Sequence, residues 1–320
     1  MNRRVFLRLF VLVAALTLAP LAAWAQTQAG AIKAVRLSGT VTKIAAHATT
    51  SIPLKEGQAV IETDVITTGE NSSVVLVFAN GASVRLGANS RLAVEEFKMD
   101  PLGSDIAVAD LQTEPNVSKT RLNLAYGEVV GNVKKLNKDA GSEFNIKTPV
   151  GAAGIRGTTF RIVMRFEPGG QVTFTLSTAE GHVSFSGTVQ LAGSGTTTQE
   201  GTTNEVAVTD GQEVTAVATV DPVTNQITSV QVNTTQPIST ESSQAITNAV
   251  TQAIQQAQQS TTFTEAEQNE AAQQTNTTTP GADTTTDSKT DQKSDNKTDT
   301  QGDTTPKTPI VDVTTRSGSG

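Results

Sequence analysis

The chain of 320 residues contains no cysteine, which excludes disulfide staples, thiolate nucleophiles and cysteine-ligated zinc or iron–sulfur centres. Histidine is scarce: His47 and His182 are the two present, too few and too far apart in sequence for a poly-histidine metal site or a His-dependent triad. Aromatic residues amount to 4%. With one tryptophan, Trp24, and one tyrosine, Tyr126, there is little material for a base-stacking platform or a tryptophan-lined sugar cleft. Positive charge is in deficit, with 24 Lys and Arg against 31 Asp and Glu and a formal charge of −7, which argues against nucleic acid as a partner. No apolar run reaches the roughly 20 residues that a membrane helix requires.

What is present begins with an address. Arg3, Arg4 and Arg8 precede the apolar stretch Leu9 to Leu21, and Ala23-Trp24-Ala25 is a small-x-small cleavage site. Residues 1–25 therefore read as an export signal cut before Gln26. The string Asn2 to Arg8 fits both a Sec signal and the twin-arginine pattern. The expected location is the periplasm, the extracellular space or the cell surface, with no stable membrane span once the signal is removed.

Between residues 33 and 220 the apolar side chains recur mostly with period two, the spacing of half-buried strands. Phe160, Ile162, Met164 and Phe166 alternate with Arg161, Val163 and Arg165, and Val172, Phe174 and Leu176 alternate with Thr173, Thr175 and Ser177. Val74 to Ala79 is wholly apolar, as a central strand would be, and Asn80-Gly81 after it predicts a two-residue hairpin returning through Ala82 to Leu86. Turn dipeptides at Glu56-Gly57, Tyr126-Gly127, Gly169-Gly170, Glu180-Gly181 and Asp210-Gly211 punctuate the remainder. The predicted class is all-β: a short-stranded double sheet of jelly-roll or β-solenoid type, followed by a disordered polar tail. Lys98 to Thr120 reads as a long surface excursion.

From residue 234 to 320 Thr, Gln, Asn, Ser and Asp dominate, and such a segment has too little apolar surface to offset its ordering entropy. Ile246, Ala249, Val250, Ala253, Ile254 and Ala257 follow i, i+3, i+4 spacing. They predict either a short amphipathic helix over 241–259 or a weakly helical linker. Aspartates at Asp283, Asp287, Asp291, Asp295, Asp299 and Asp303 form a tetrad repeat, which lacks the loop that gathers oxygens around calcium.

Four stretches carry distinctive motifs. The first is Leu54 to Val60 leading to Asp64 to Gly69, and the second is Ser73 to Phe78 followed by Asn80-Gly81, Val84 to Gly87 and Asn89-Ser90. The third is Leu122 to Val133, and the fourth is Thr148-Pro149-Val150-Gly151-Ala152-Ala153-Gly154-Ile155-Arg156-Gly157-Thr158-Thr159-Phe160. Together these stretches, whose core motifs span 54–160, resemble the FecR domain of bacterial envelope proteins, and Ala179 to Val183 and Asp210 to Val214 resemble the family's closing elements. In the last of the four stretches, Pro149, Gly151, Gly154, Arg156, Gly157, Thr158 and Phe160 read as structural, a shaped turn between two strands. Arg156 either caps carbonyls left open by that turn or offers its five donors to an anion. Capping would make Arg156→Ala cost about 1–3 kcal/mol.

The carboxylates Glu62 with Asp64, and Glu95 with Glu96, sit on expected strands as solvated acids. Neither they nor the histidines make a catalytic constellation. The sequence thus predicts no catalytic, cofactor-binding or metal-ligating residue. The resemblance implies a non-enzymatic binding or scaffold module of the cell envelope, with a connection to envelope signalling, whose partner is an envelope protein. Polysaccharide or peptidoglycan binding, with cell-wall glycan as partner, is the alternative.

Overall fold

A computed structural model describes residues 27–46, 48–187, 205–221, 224 and 227–277. The expected export signal, His47 and the aspartate repeat lie outside the described residues. The N-terminal strands are β1 (Gln28–Ala29), β2 (Ile32–Ser38), β3 (Val41–Ile44), β4 (Ile52–Pro53), β5 (Ala59–Val60) and β6 (Val65–Thr68). Next come β7 (Ser73–Phe78), β8 (Ser83–Leu86), β9 (Ser90–Met99), β10 (Ile106–Ala107), β11 (Ser118–Asn132) and β12 (Glu143–Thr148). The chain continues through β13 (Gly151–Glu167), β14 (Gln171–Gly187), β15 (Glu205–Thr209), β16 (Gln212–Val220), β17 (Ile227–Val232) and β18 (Gln236–Pro237). Helix α1 (Thr240–Ala249), a π-helical turn (Val250–Ile254), α2 (Gln255–Ser260), β19 (Thr262–Phe263) and α3 (Glu265–Thr277) complete it.

The protein is thus mostly strand, as expected, but three strands are long: β11 has 15 residues and β13 and β14 have 17 each. Their register explains why. The first half of β11 lies between β9 and parallel β12, whereas its second half lies between β8 and β13. Likewise β13 pairs with β12 near its start and with β11 later, and β14 leaves β16 to join β15. Each long strand therefore serves two layers. One layer runs β3-β6-β9-β11-β12-β13-β14-β15, and the other runs β2-β7-β8-β11-β13-β14-β16-β17.

The crossing points coincide with glycines in left-handed geometry, Gly127 (φ 99°), Gly157 (φ 66°) and Gly181 (φ 92°). A Cβ on Gly181 would lie 2.4 Å from the Gly157 carbonyl oxygen, so two of the crossings are packed backbone against backbone.

Between the layers lies the core. Phe78 of the second layer meets Phe97 and Phe144 of the first at centroid distances of 5.2 and 6.1 Å, edge to face, and Phe174 stacks on Phe185 at 4.7 Å. Period two holds where one face is wet: Leu122 and Leu124 are buried, while Arg121 and Asn123 are half-buried. It fails in the second layer, where Val74 to Phe78, Val129 with Val130, and Phe160 to Met164 are buried without interruption. There the other face is covered by α1, the π turn and α2, which contact β14, β13, β11, β8 and β7 in turn.

The expected tail boundary at residue 234 is accordingly displaced. Ile246, Ala249, Ile254 and Ala257 pack as an amphipathic stripe, and Ser239 caps α1 by accepting from the Ser242 N–H at 3.2 Å. The linker alternative fails for 240–260 because the sheet supplies the packing partner that an isolated helix lacks.

Other expectations change in detail. The Asn80-Gly81 turn has a three-residue loop: Gly81 N donates to the Phe78 carbonyl and Phe78 N to the Ala82 carbonyl, with only Gly81 at positive φ. Asn80 instead holds the turn through its side chain, which accepts from Ala82 N at 3.1 Å and donates to Ser118 Oγ at 3.0 Å. Phe166, expected inward, is 57% exposed; Arg165, Glu167 and Pro168 are exposed with it, since the β13–β14 hairpin tip outruns the facing layer. The excursion after Lys98 is an anchored one, with Leu102 and Val108 buried, β10 pairing with β19, and Leu102 N donating to Gln268 at 2.6 Å. No described helix is long and apolar enough to cross a membrane.

Candidate functional site

The glycine-rich segment is a strand with a defect in its middle. Thr148 and Gly151 face each other across the Pro149-Val150 link, with Thr148 Oγ1 donating to the Gly151 carbonyl at 2.8 Å. From Gly151 the chain runs as β13, and its register against β14 slips between Arg156 and Thr159. The expected single turn is therefore two features, a hairpin at Pro149 and a bulge at Gly157.

Thr158, buried in the bulge, donates to the His182 carbonyl at 3.0 Å. Phe160 lies over Gly131, where a Cβ would come within 2.3 Å of its ring. Gly154 has ordinary room, its nearest neighbour to a Cβ being Asn145 Oδ1 at 3.4 Å. Arg156 does not cap carbonyls. It is exposed, and among the described residues its guanidinium makes no hydrogen bond or ion pair.

The bulge turns Arg156 into a cleft of about 580 Å³ that also receives Lys135, Lys138, Asn137, Asp139 and Glu114. Local structure places each wall. A Cβ on Gly157 would stand 3.0 Å from Lys135 Cα, so the missing side chain lets the two backbones touch. Lys135 is held from the other side by a parallel bridge to Thr113 and by its carbonyl, which accepts from Glu114 N at 3.1 Å. Lys138 opens a 3₁₀ turn, Lys138–Ala140.

Glu114 is 7% exposed and turned inward. One oxygen accepts from Ser118 Oγ at 2.9 Å and the other from Asn137 N. Its charge is spent on the loop and forms no ion pair with the cations. Burial, then the Arg156 charge, holds the Lys138 ammonium below its ordinary range against the opposing pull of Glu143. Chemically, the cleft is an array of donors carrying positive charge, able to hold an anion without reacting with it.

The acids singled out from sequence do not assemble there. Glu62 and Asp64 lie in a turn with Thr63 between them at φ 72°, not on an exposed strand face. Asp64 is fully buried, where its Oδ2 accepts from Lys43 Nζ at 2.9 Å and Ile61 N at 3.1 Å. Glu62 accepts from Phe97 N at 2.9 Å, and burial pushes its carboxyl above the usual range against that hydrogen bond and Lys98. Glu95 and Glu96 share the wet face because a bulge between Arg121 and Leu122 adds a residue to β9. They pair with Lys147 at 2.8 Å and Arg121 at 3.1 Å. His182 is half-buried opposite Arg156 in the ladder. Lys135 and Lys138 carried no motif in the sequence, and only their pairing with the bulge reveals them.

A second concavity, about 540 Å³, opens at the end of the body between Val206 of β15 and Val230 and Val232 of β17. Among the described residues β15 pairs with β14 alone and β17 with β16 alone. Each therefore has one unpaired edge there.

Residues 64–184 match the family described as FecR protein. Two crystal structures of a candidate anti-sigma factor from Parabacteroides distasonis ATCC 8503, at 1.65 and 2.50 Å, are similar to the chain. They show 12% and 11% identity with TM-scores of 0.32 and 0.31. In both cases 53% of this chain is covered, and the chain spans 59% of theirs. No curated protein matches.

Proposed function

We propose that the chain is an exported, non-enzymatic FecR-domain protein that serves as a binding or scaffold module in the cell envelope, in the periplasm or at the surface. The observation that carries this reading is the FecR match over residues 64–184, falling on a two-layer body in which, among the described residues, β15 and β17 each have one unpaired edge. Strand edges bind through backbone donors and acceptors and need no special side-chain chemistry. The buried acids support the non-enzymatic reading, since Asp64 and Glu114 are committed to structural hydrogen bonds. A connection to envelope signalling is what the FecR domain implies.

A protein partner is favoured over cell-wall glycan because, among the described residues, every phenylalanine but Phe166 points inward. Phe78, Phe97, Phe144, Phe160, Phe174, Phe185 and Phe263 are fully buried. Photo-crosslinking from exposed Ala207 on β15 in the native envelope tests the proposal. A recurring protein adduct is expected. Retention on peptidoglycan without any adduct would replace it with the glycan reading, and mass spectrometry of the mature N terminus checks export.

A further inference from the structure

We propose that the cleft formed by Lys135, Lys138 and Arg156 binds a phosphate monoester. The proposal goes beyond the envelope-module reading and stands whether or not the strand edges bind a partner. Three cationic side chains share one concavity in a chain whose net charge is −7, and among the described residues none of the three has an ion-pair partner. Like charges gathered in this way repel unless an anion joins them. Glu114, an acid of the same lining, faces inward to Ser118 and Asn137. Asp139 of the lining and Glu143, whose charge acts on Lys138, oppose the cations, so the cleft favours an anion through three charged donors left without partners rather than through a large net charge.

A phosphate monoester offers three acceptor oxygens to these three charged donor groups at neutral pH and carries more charge than a carboxylate, which offers two. Arg156 brings a planar fork for two of those oxygens, and the lysines act as point charges. At about 580 Å³ the cleft leaves room for the alcohol portion. With Leu136 the one apolar residue of the lining, that portion is polar, as in a phosphorylated sugar or a lipid headgroup. The shape is built into the backbone: Gly157 lets Lys135 approach, and the register slip at Arg156 aims the guanidinium outward.

Isothermal titration of the full chain with glucose 1-phosphate at low salt tests this, with sedimentation on vesicles containing phosphatidic acid as a second arm. Saturable binding in either arm is expected, the arm identifying a free sugar phosphate or a membrane headgroup as the source. Inorganic phosphate should compete and acetate should not. R156Q and K138Q should each weaken binding at least about tenfold, the loss of one charge-assisted hydrogen bond. R165Q, which removes the same charge from an exposed position on the β13–β14 hairpin, should leave binding unchanged. Thermal melts of the same samples show that R156Q is folded. Absence of saturable binding in both arms, equal binding by R156Q and R165Q, or competition by acetate as strong as by phosphate would overturn the proposal.

Discussion

The two layers of the body share a core and differ in what lies outside it. The β9-β11-β12 layer shows water a face of half-buried and exposed ion pairs, Glu95 with Lys147 and Glu96 with Arg121. The β7-β8-β11-β13-β14 layer is covered by α1 and α2. On that covered face Arg161, 5% exposed, binds Glu128 at 2.9 Å, Ser242 Oγ at 3.1 Å and Glu241 at 3.2 Å. Gln258 reaches down to Ser83 and Asn132 at 3.1 and 3.2 Å. Similar polar residues are therefore surface decoration on one layer and interior fastening on the other. A helix laid across a sheet converts its wet face into a second core, and the polar groups caught there must find partners.

The comparison breaks first at what both layers share. Phe78→Ala removes a ring packed on Phe97 and Phe144 and should cost about 3–5 kcal/mol in chemical denaturation; a loss under about 1 kcal/mol would mean that the layers do not share a core. Arg161→Ala should cost about 2 kcal/mol, less than a fully buried pair because Glu128 and Glu241 stay partly hydrated. Limited proteolysis should then cut first within 240–260. Unchanged cleavage there would show that the helices do not depend on this contact.

Glu213 sharpens the covered side by pH. Burial alone would raise its carboxyl, but hydrogen bonds from Ser239, Gln236, Ser177 and Ser242 outweigh it and hold it below the usual range. A depressed folded value contributes stability that is present above the ordinary glutamate value of about 4.3 and is lost as pH falls through the folded value. Glu213→Gln should therefore cost about 1–2 kcal/mol near neutrality, with the gap to wild type closing below pH ~4. A gap that stays constant with pH would assign the loss to packing. On the uncovered layer, Arg121→Ala should fall within about 0.5 kcal/mol of wild type in urea titrations. Arg156→Ala should have as small an effect, not the roughly 1–3 kcal/mol that carbonyl capping would demand; a larger midpoint shift would restore the capping role.

How much could be read from the chain depends on which side of a strand is considered. Val172, Phe174 and Leu176 are buried as their alternation predicts, but Ser177, placed with the solvent set, is fully buried beside Glu213. Nothing in its local sequence announces the helix above it. Asp64 reads as an exposed strand acid until the turn at Thr63 aims it at Lys43. The glycine-rich motif was legible as a place needing unusual backbone, and Gly157 meets that need. Its bulge and the company of Arg156 were not, because Lys135 belongs to a separate segment of the chain and enters through a pairing of β11 with β13.

By itself the sequence determined a cysteine-free, strand-rich body with a FecR-type core, the positions of its turns and the spacing of a helix near residue 250. These follow from side-chain periodicity and backbone permissiveness, which act over a few residues. The tertiary structure alone decided that three strands pass between two layers, that the helix docks and buries Arg161, and that three cations meet in one cleft. Those outcomes depend on register between distant segments, and register is fixed by the whole set of contacts satisfied at once.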